Sequence, residues 1–489
     1  MATPIPENSA PLTVWAAAAA TGGRVLRALP TGITARGIVS DSRSVVPGCA
    51  FVALRGERHD GHDYVDAAVR SGAALVIVEP GRASDQWVDV VEVDDTLVAW
   101  QRLARAHVRS WRRCATHPLV IAITGSSGKT TTKELCAALV RSVGKCHATA
   151  GNLNNRVGLP TVAFGLRSEH RFAVFEVGMS IRGEIASLAG ILQPDVAVIT
   201  NVGVAHAAGV GGTRADVASE KGDLFAALSE RDVAVACFDD AAAMGQLART
   251  RARRVVTFGT REGADYRLVE RAPAGLDGAR LRILRRREGT ELCASLPILG
   301  EAAALDFLAA LAAVETTIGL LGADTVECSL RLHLRQPPGR MQPRALRNGT
   351  TVLDDTYNAN PESVRAALMT LGEVARQRRS VVILGEMREL GAIAEQAHAD
   401  LGQAVARSGA RVILSCGGLA DRTAMEAELA GVSAVRASDA EEAARLAASI
   451  VATGDIVLVK ASRSVGAERV VDALIRSGGG EILSARGAD

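Results

Sequence analysis

A chain of 489 residues that is 48% hydrophobic is too long for one core, and at ~150 residues per domain it predicts about three. Its 56 Lys and Arg against 54 Asp and Glu leave a net charge of +2, spread without a basic face, which argues against a nucleic-acid partner. Eight cysteines without a C-x-x-C pair argue against a disulfide framework and a zinc site, and predict small core residues in a cytoplasmic protein.

In chain order, the early apolar patch Trp15 to Ala20 is too short to span a bilayer and lacks a signal peptide's basic flank, so no membrane insertion is expected. "GAALVIVE" at 72 to 79 reads as a strand in a first block that ends near residue 92. A helical pattern from Thr96 to Arg113 connects it to a strand, Leu119 to Ile123, a glycine loop and an apolar helix, Leu135 to Val140. "RFAVFEVGM" and "DVAVITNVGVAH" are further strands, ending at Glu176 and before Asn201 and His206. Alternating segments at 278 to 298 predict an antiparallel meander attached to the parallel sheet. "LRQPPGRMQP" at 334 to 343 carries three prolines and a glycine, which marks the second boundary. The last block repeats strand and helix, with "RSVVILGEM" at 379 to 387 and "GDIVLVKASRSVGAERVVDAL" near the end. The rhythm is that of α/β folds. It predicts a smaller N-terminal α/β domain (1–92), a central P-loop parallel-sheet ATPase domain (93–335) and a Rossmann-like C-terminal domain (336–489).

The loop carries the first chemistry. In "TGSSGKT", Thr124 to Thr130, Gly125 and Gly128 let backbone N–H groups turn inward while the following helix presents a positive N-terminus. Lys129 adds a mobile cation, and Thr130 is placed to ligate a magnesium ion bridging phosphates. The pattern is G-x-x-G-K-T, shorter than the usual G-x-x-x-x-G-K-[ST], whose first glycine would fall at Ile123. Ligands collect beyond the carboxyl ends of strands in an open parallel sheet, so Glu176 and His206 can reach the same ion. Three strand ends converging in this way favour metal-assisted phosphoryl transfer.

With these residues in hand the chain resembles the Mur ligase family, whose phosphate loop has this shorter form. The resemblance runs through "SDSRSVVPGCAFVALRGERHDGHDYVDAA" (Ser40 to Ala68), "GNLNNRVGLP", "EVGMSIRGEI", "NVGVAH", "SEKGDLF", "DDTYNANPES", "LGEMRELG" and "VKASRS", in that order. "YNANP" and "GEMRELG" are its most specific strings and match the branch that adds D-alanyl-D-alanine; the D-N-P-R string of the diaminopimelate-adding branch is missing. The resemblance implies a ligase of peptidoglycan precursor synthesis that uses ATP and two Mg2+ ions, with UDP-N-acetylmuramoyl tripeptide and D-alanyl-D-alanine as substrates, acting as a monomer.

It also implies residue roles. ATP would meet Thr124, Gly125, Ser126, Ser127, Gly128, Lys129, Thr130 and Thr131, with Arg340 at the phosphates and Asp355, Tyr357 and Asn358 on the last block's first strand and turn. One magnesium would rest on Thr130 and Glu176 and a second on His206, with Lys221 where several relatives carry a carbamylated lysine. Lys129, Glu176, His206, Lys221 and Arg340 form the implied catalytic set. The UDP-substrate would meet Asp41, Ser42, Arg43 and His59, with Asn152, Asn154 and Asn155 nearby; Lys460, Ser462 and Arg463, before a helix N-terminus, suit the dipeptide carboxylate. One motif departs: where most relatives carry a His-Asn pair, this chain has Ala302 and Ala303. Two other readings stand beside the ligase: a related ATP-dependent amide ligase such as a folylpolyglutamate or cyanophycin synthetase, and a nucleotide-binding scaffold without catalysis.

Overall fold

The structure is a computed structural model and describes residues 7–30, 32–56 and 59–482. The first block builds a five-stranded sheet in the order Arg24–Arg27, Asp89–Glu92, Leu75–Val78, Ala50–Val52, Ile38–Val39, parallel except at its first strand. The helix Thr96–Cys114 starts where the Asp95 carboxylate accepts from Val98 N–H at 2.9 Å. Its apolar positions Ala99, Trp100, Leu103, Ala104, Val108 and Trp111 recur at helical spacing and are all buried. The two indole N–H groups donate to the Val157 and His170 carbonyls at 3.0 Å each. Side chains of the first block, this helix and the central block therefore share one continuous core.

The central block is a nine-stranded sheet. From one edge its order is Thr290–Leu296, Ala279–Arg285, Tyr266–Pro273, Arg254–Gly259, Val233–Cys237, Val196–Ile199, Leu119–Thr124, Phe172–Glu176, Cys146–Ala148. The first three strands are the antiparallel meander that the alternation at 278 to 298 predicts; the rest run parallel. The glycine-loop strand Leu119–Thr124 sits between Phe172–Glu176 and Val196–Ile199, with Glu176 opposite Ile123 and Ile199 opposite Thr124. That register brings three strand ends together at one place. Beneath the loop helix runs Glu301–Ile318, apolar almost all round because it is buried almost all round. Among the described residues no single helix is long and apolar enough to cross a membrane.

The last block is a six-stranded sheet ordered Gln342–Ala345, Thr351–Asp355, Ile456–Lys460, Ser380–Leu384, Val412–Cys416, Ser433–Ala437, parallel but for its first strand. Separate hydrophobic clusters cover its two faces, which is why its strands read as uninterrupted apolar runs. The cysteines depart from expectation in part. Cys49, Cys136, Cys237 and Cys416 are buried, but Cys114, Cys293 and Cys328 are exposed on a helix end, the meander and a surface helix.

Candidate active site

The strand Leu119–Thr124 delivers the chain into Gly125–Gly128 and then the helix Lys129–Arg141. Both glycines are required by close approach. A methyl group on Gly125 would lie 1.8 Å from Thr200 Oγ1, and one on Gly128, at φ +80°, would lie 2.1 Å from Asp306 Oδ1. The neighbouring strand end holds the loop in shape: Asn201 accepts Ser126 N–H with its carbonyl and Ser127 N–H with Oδ1, at 3.1 and 3.0 Å, and Thr200 Oγ1 donates to the Ser127 carbonyl at 2.6 Å. No side chain caps the helix that follows, among the described residues, so its first N–H groups face the cleft as an anion site. Lys129 Nζ donates to the Gly125 carbonyl at 2.7 Å, folded over the loop it serves. Burial lowers its pKa, with the Glu176 carboxylate opposing that effect.

Glu176 is almost fully buried at the end of its strand. Its two oxygens accept from Thr130 Oγ1 and Asn154 Nδ2, each at 2.7 Å. A hydroxyl and a carboxylate side by side at a phosphate loop are hard oxygen donors of the kind that hold Mg2+ together with substrate phosphates, so the Thr130 and Glu176 pair fits one ion. The donor set for a second ion is not assembled. His206, in left-handed backbone at φ +62°, directs Nδ1 to Glu389 of the last block at 2.5 Å. Lys221 is fully buried, with Nζ 3.9 Å from Met179 Sδ, and burial together with the Lys129 charge pushes its pKa well below the ordinary lysine value. Among the described residues no group of three His, Cys, Asp or Glu is arranged to hold a metal.

The carboxyl ends of the last block's strands close the other side of a cleft of about 720 Å³. The Arg340 guanidinium lies 4.1 Å from the Tyr357 ring centre, and its Nε is buried without a partner among the described residues, a donor that a bound anion would satisfy. Asp355 accepts from Lys460 Nζ at 2.6 Å and Met341 N–H at 3.1 Å. Lys460 also donates to the Asn358 carbonyl at 2.8 Å, so little of this buried ammonium remains for an amino substrate. Arg463 is exposed at the cleft beside Tyr357. The two walls touch where Asn360 Nδ2 donates to the Ser126 carbonyl at 3.4 Å and where Arg271 pairs with Glu373.

Ser126 to Thr131, Asn152, Asn154, Asn155, Glu176, His206, Lys221, Arg340, Asp355, Tyr357, Asn358, Lys460, Ser462 and Arg463 all line this one cleft. Thr124 and Gly125 lie behind it as the loop's support. Asn155 turns Oδ1 back to accept Val157 and Gly158 N–H. Asp41, Ser42, Arg43 and His59 are elsewhere, on the first block. The Asp41 carboxylate accepts Arg43 N–H and pairs with its exposed guanidinium at 2.7 Å, and His59 is exposed in a loop.

Among the cleft residues that the sequence left unmarked, Glu389 and Asp306 carry chemistry. Asp306 lies under Gly128 in the apolar helix Glu301–Ile318, and burial pushes its pKa up to about 8, against the Thr132 hydroxyl and the Arg340 charge. A lone acid within "AAALDFLAALAA" was the available signal. Unfolded, the group ionises near its ordinary value of 3.8, so between that pH and about 8 the folded chain holds one proton more than the unfolded chain. The stability from this group is thus fully present below the lower value and is lost as pH rises through the upper one. Asp306→Asn, which carries no such titration, should gain melting temperature relative to the parent chain steadily from pH 5 to pH 8. A constant difference across that range in calorimetry would contradict the assignment.

Comparison with known proteins completes the picture. Residues 123–314 match the family model described as Mur ligase middle domain, 339–463 that described as Mur ligase, glutamate ligase domain, and 34–107 that described as Mur ligase family, catalytic domain. The chain is 34% identical over 451 residues to the UDP-N-acetylmuramoyl-tripeptide–D-alanyl-D-alanine ligase of Synechocystis sp., covering 91% of this chain and 93% of that one. The crystal structure of MurF from Acinetobacter baumannii superposes with a TM-score of 0.85 at 29% identity, over 96% of this chain and all of that one. MurF from Thermotoga maritima, solved with ADP, superposes with a TM-score of 0.76 at 27% identity, over 90% and 97%.

Proposed function

The chain belongs to the Mur ligase family, and on that premise we propose that it is an ATP-dependent carbon–nitrogen ligase that joins D-alanyl-D-alanine to UDP-N-acetylmuramoyl tripeptide in peptidoglycan precursor synthesis. The observation that carries this reading is the cleft itself: a phosphate loop, a buried Thr130 and Glu176 oxygen pair and a cationic rim of Arg340 and Arg463 meet between two α/β sheets. The proposed division is a UDP-substrate domain at 1–92, a central ATP-binding domain at 93–335 and a C-terminal domain at 336–489 that receives the amino substrate. The chain is proposed to work as a monomer in the cytoplasm, where ATP and nucleotide-linked substrates are available.

An amide does not form from a carboxylate and an amine in water unaided. In the proposed reaction a carboxylate oxygen of the tripeptide bonds to the γ-phosphorus of ATP, the bond to the β-bridging oxygen breaks, and ADP leaves behind an acyl phosphate. The dipeptide ammonium gives up one proton to solvent, its amine adds to the acyl carbon, and the tetrahedral intermediate loses a second proton as it expels phosphate. Lys129 and the free helix N–H groups neutralise the γ-phosphate so that two anions can approach. Thr130 and Glu176 would hold Mg2+, which supplies further neutralisation of the phosphates when bound. Arg340, whose Nε has no partner among the described residues, is proposed for the same phosphates, and Asp355, held by Lys460, for the ribose. Closure of the two walls keeps water from the acyl phosphate. His206 would hold a second ion, which would supply further charge neutralisation at the acyl phosphate, and Lys221, whose pKa burial lowers, is proposed as the amine that carbamylation would turn into an oxygen ligand. Asp41, Ser42, Arg43 and His59, with Asn152, Asn154 and Asn155, are proposed for the UDP-substrate.

Base recognition should be loose. Ala302 and Ala303 stand at the start of the helix Glu301–Ile318, on a stretch of cleft lined with Cys237, Phe258, Ile298 and Leu299, where the two alanines offer methyl groups and backbone to a purine edge. A two-point contact of the missing kind discriminates bases by ~1–3 kcal/mol in nucleic-acid recognition. GTP is therefore expected to support ligation with kcat/KM within about one order of magnitude of ATP. A preference for ATP of roughly 100-fold or more would assign base reading to other groups.

Product formation with a panel of amines tests the ligase reading. With ATP and UDP-N-acetylmuramoyl tripeptide, mass spectrometry should find the pentapeptide product with D-alanyl-D-alanine and none with D-glutamate, L-lysine or diaminopimelate. The reverse pattern would move the chain to another branch.

A further inference from the structure

We propose that Glu389 is the carboxylate that receives the ammonium group of the incoming amino substrate, opposite Arg463, so that the C-terminal wall of the cleft reads a zwitterion. The inference rests on the ligase reading and deepens it. Glu389 lies in the turn after the strand Ser380–Leu384, at φ +66°, a left-handed conformation that a non-glycine residue adopts at a cost and that concentrates at functional sites. The turn is welded to the loop that carries Arg463. Arg388 N–H donates to Ser462 Oγ at 2.9 Å, and Ser462 N–H donates to the Glu386 carbonyl at 3.1 Å. The cation and the anion are thus presented by two joined loops on one cleft wall. A dipeptide of two residues reaches at most about 7 Å between its ends, the scale on which neighbouring loops can grip both.

The charges available sort themselves. Lys460 is committed to Asp355, Arg388 pairs with Glu386 at 2.7 Å, and Arg340 stacks on Tyr357. Arg463, exposed and without an ion-pair partner among the described residues, remains for a carboxylate. On the anionic side Glu176 is consumed by Thr130 and Asn154 and the exposed Glu362 lies against Gly203, away from the turn joined to Arg463, whereas the Glu389 side chain is 63% exposed, with His206 as its one ion-pair partner among the described residues. That contact places Glu389 where the last block reaches across to the phosphate side of the cleft. An ammonium group docked there has its nitrogen on the side where the acyl carbon is activated.

The test separates capture of the amine from a merely structural latch between Glu389 and His206. Hydroxylamine, neutral near pH 7, intercepts an acyl phosphate as a hydroxamate and needs no carboxylate to bind it. With ATP and UDP-N-acetylmuramoyl tripeptide, the parent chain, Glu389→Gln and Glu389→Asp are compared for hydroxamate formation and for ligation of D-alanyl-D-alanine. Loss of a charge-assisted contact should raise the KM for the dipeptide in Glu389→Gln by roughly 10- to 100-fold, with Glu389→Asp recovering part of it. The dipeptide-dependent rate should fall about ten times further than the hydroxamate rate. An unchanged KM, or an equal fall in both rates, overturns the proposal and leaves Glu389 as a latch. Failure of the parent chain to form any hydroxamate would count instead against the ligase reading itself. Equal melting temperatures of the three proteins establish that the comparison is made on folded chains.

Discussion

Lys129→Ala is expected to lower kcat by roughly 100-fold or more, the scale seen when a preorganised electrostatic donor is removed from a site of charge development. The lysine packs in no hydrophobic cluster, and its ammonium makes one hydrogen bond among the described residues, to the carbonyl of Gly125 within its own loop. Its loss should therefore leave the melting temperature near that of the parent chain. Binding of the UDP-substrate should also survive, since the Lys129 ammonium bonds to the loop carbonyl and not to the residues proposed for that substrate. Lys129→Arg would not restore activity, because a planar guanidinium cannot fold back over the loop as a compact ammonium does. Steady-state kinetics beside a thermal melt decide the matter: turnover near the parent value would reduce the loop to a turn.

Glu176→Ala should be as damaging to turnover, on the order of 100- to 1,000-fold, and should cost stability as well. The carboxylate is buried and accepts from Thr130 and Asn154; removing it orphans both donors, at about 1–3 kcal/mol each where no water replaces it. Glu176→Gln separates the two effects. Its amide oxygen can still accept one of these bonds, so the fold should be largely kept, while the charge that would draw Mg2+ is gone. Activity of this variant is expected to respond to raised Mg2+ concentration more steeply than that of the parent chain. A flat response would show that the acid holds the loop rather than an ion.

How legible these features were depended on how local they are. Lys129, Thr130 and Glu176 could be read from the sequence because a strand, a glycine loop and a helix are consecutive, and because parallel strands put their carboxyl ends on one edge whatever their order. The meander could be read because period-2 alternation survives in strands with one solvated face. Asp306 could not, since its meeting with Gly128 depends on a helix from far along the chain packing under the loop. Asn201 was visible as a strand-end residue, but its use in tying down Ser126 and Ser127 was not. Glu389 stood in plain sight within "GEMRELG", yet its importance comes from a backbone dihedral and a contact across two blocks, and neither leaves a periodic trace. Lys460 shows the opposite problem: a cation at a strand end suggests substrate, whereas its neighbour in the sheet, Asp355, takes most of its charge.

One cleft is proposed to make an acyl phosphate and hand it to D-alanyl-D-alanine. Phosphate release from ATP in the presence of UDP-N-acetylmuramoyl tripeptide, measured with and without D-alanyl-D-alanine, tests it most directly. Release should depend on both substrates and match the amide formed mole for mole. Release at the same rate without the dipeptide, or no release with all three substrates present, would contradict it.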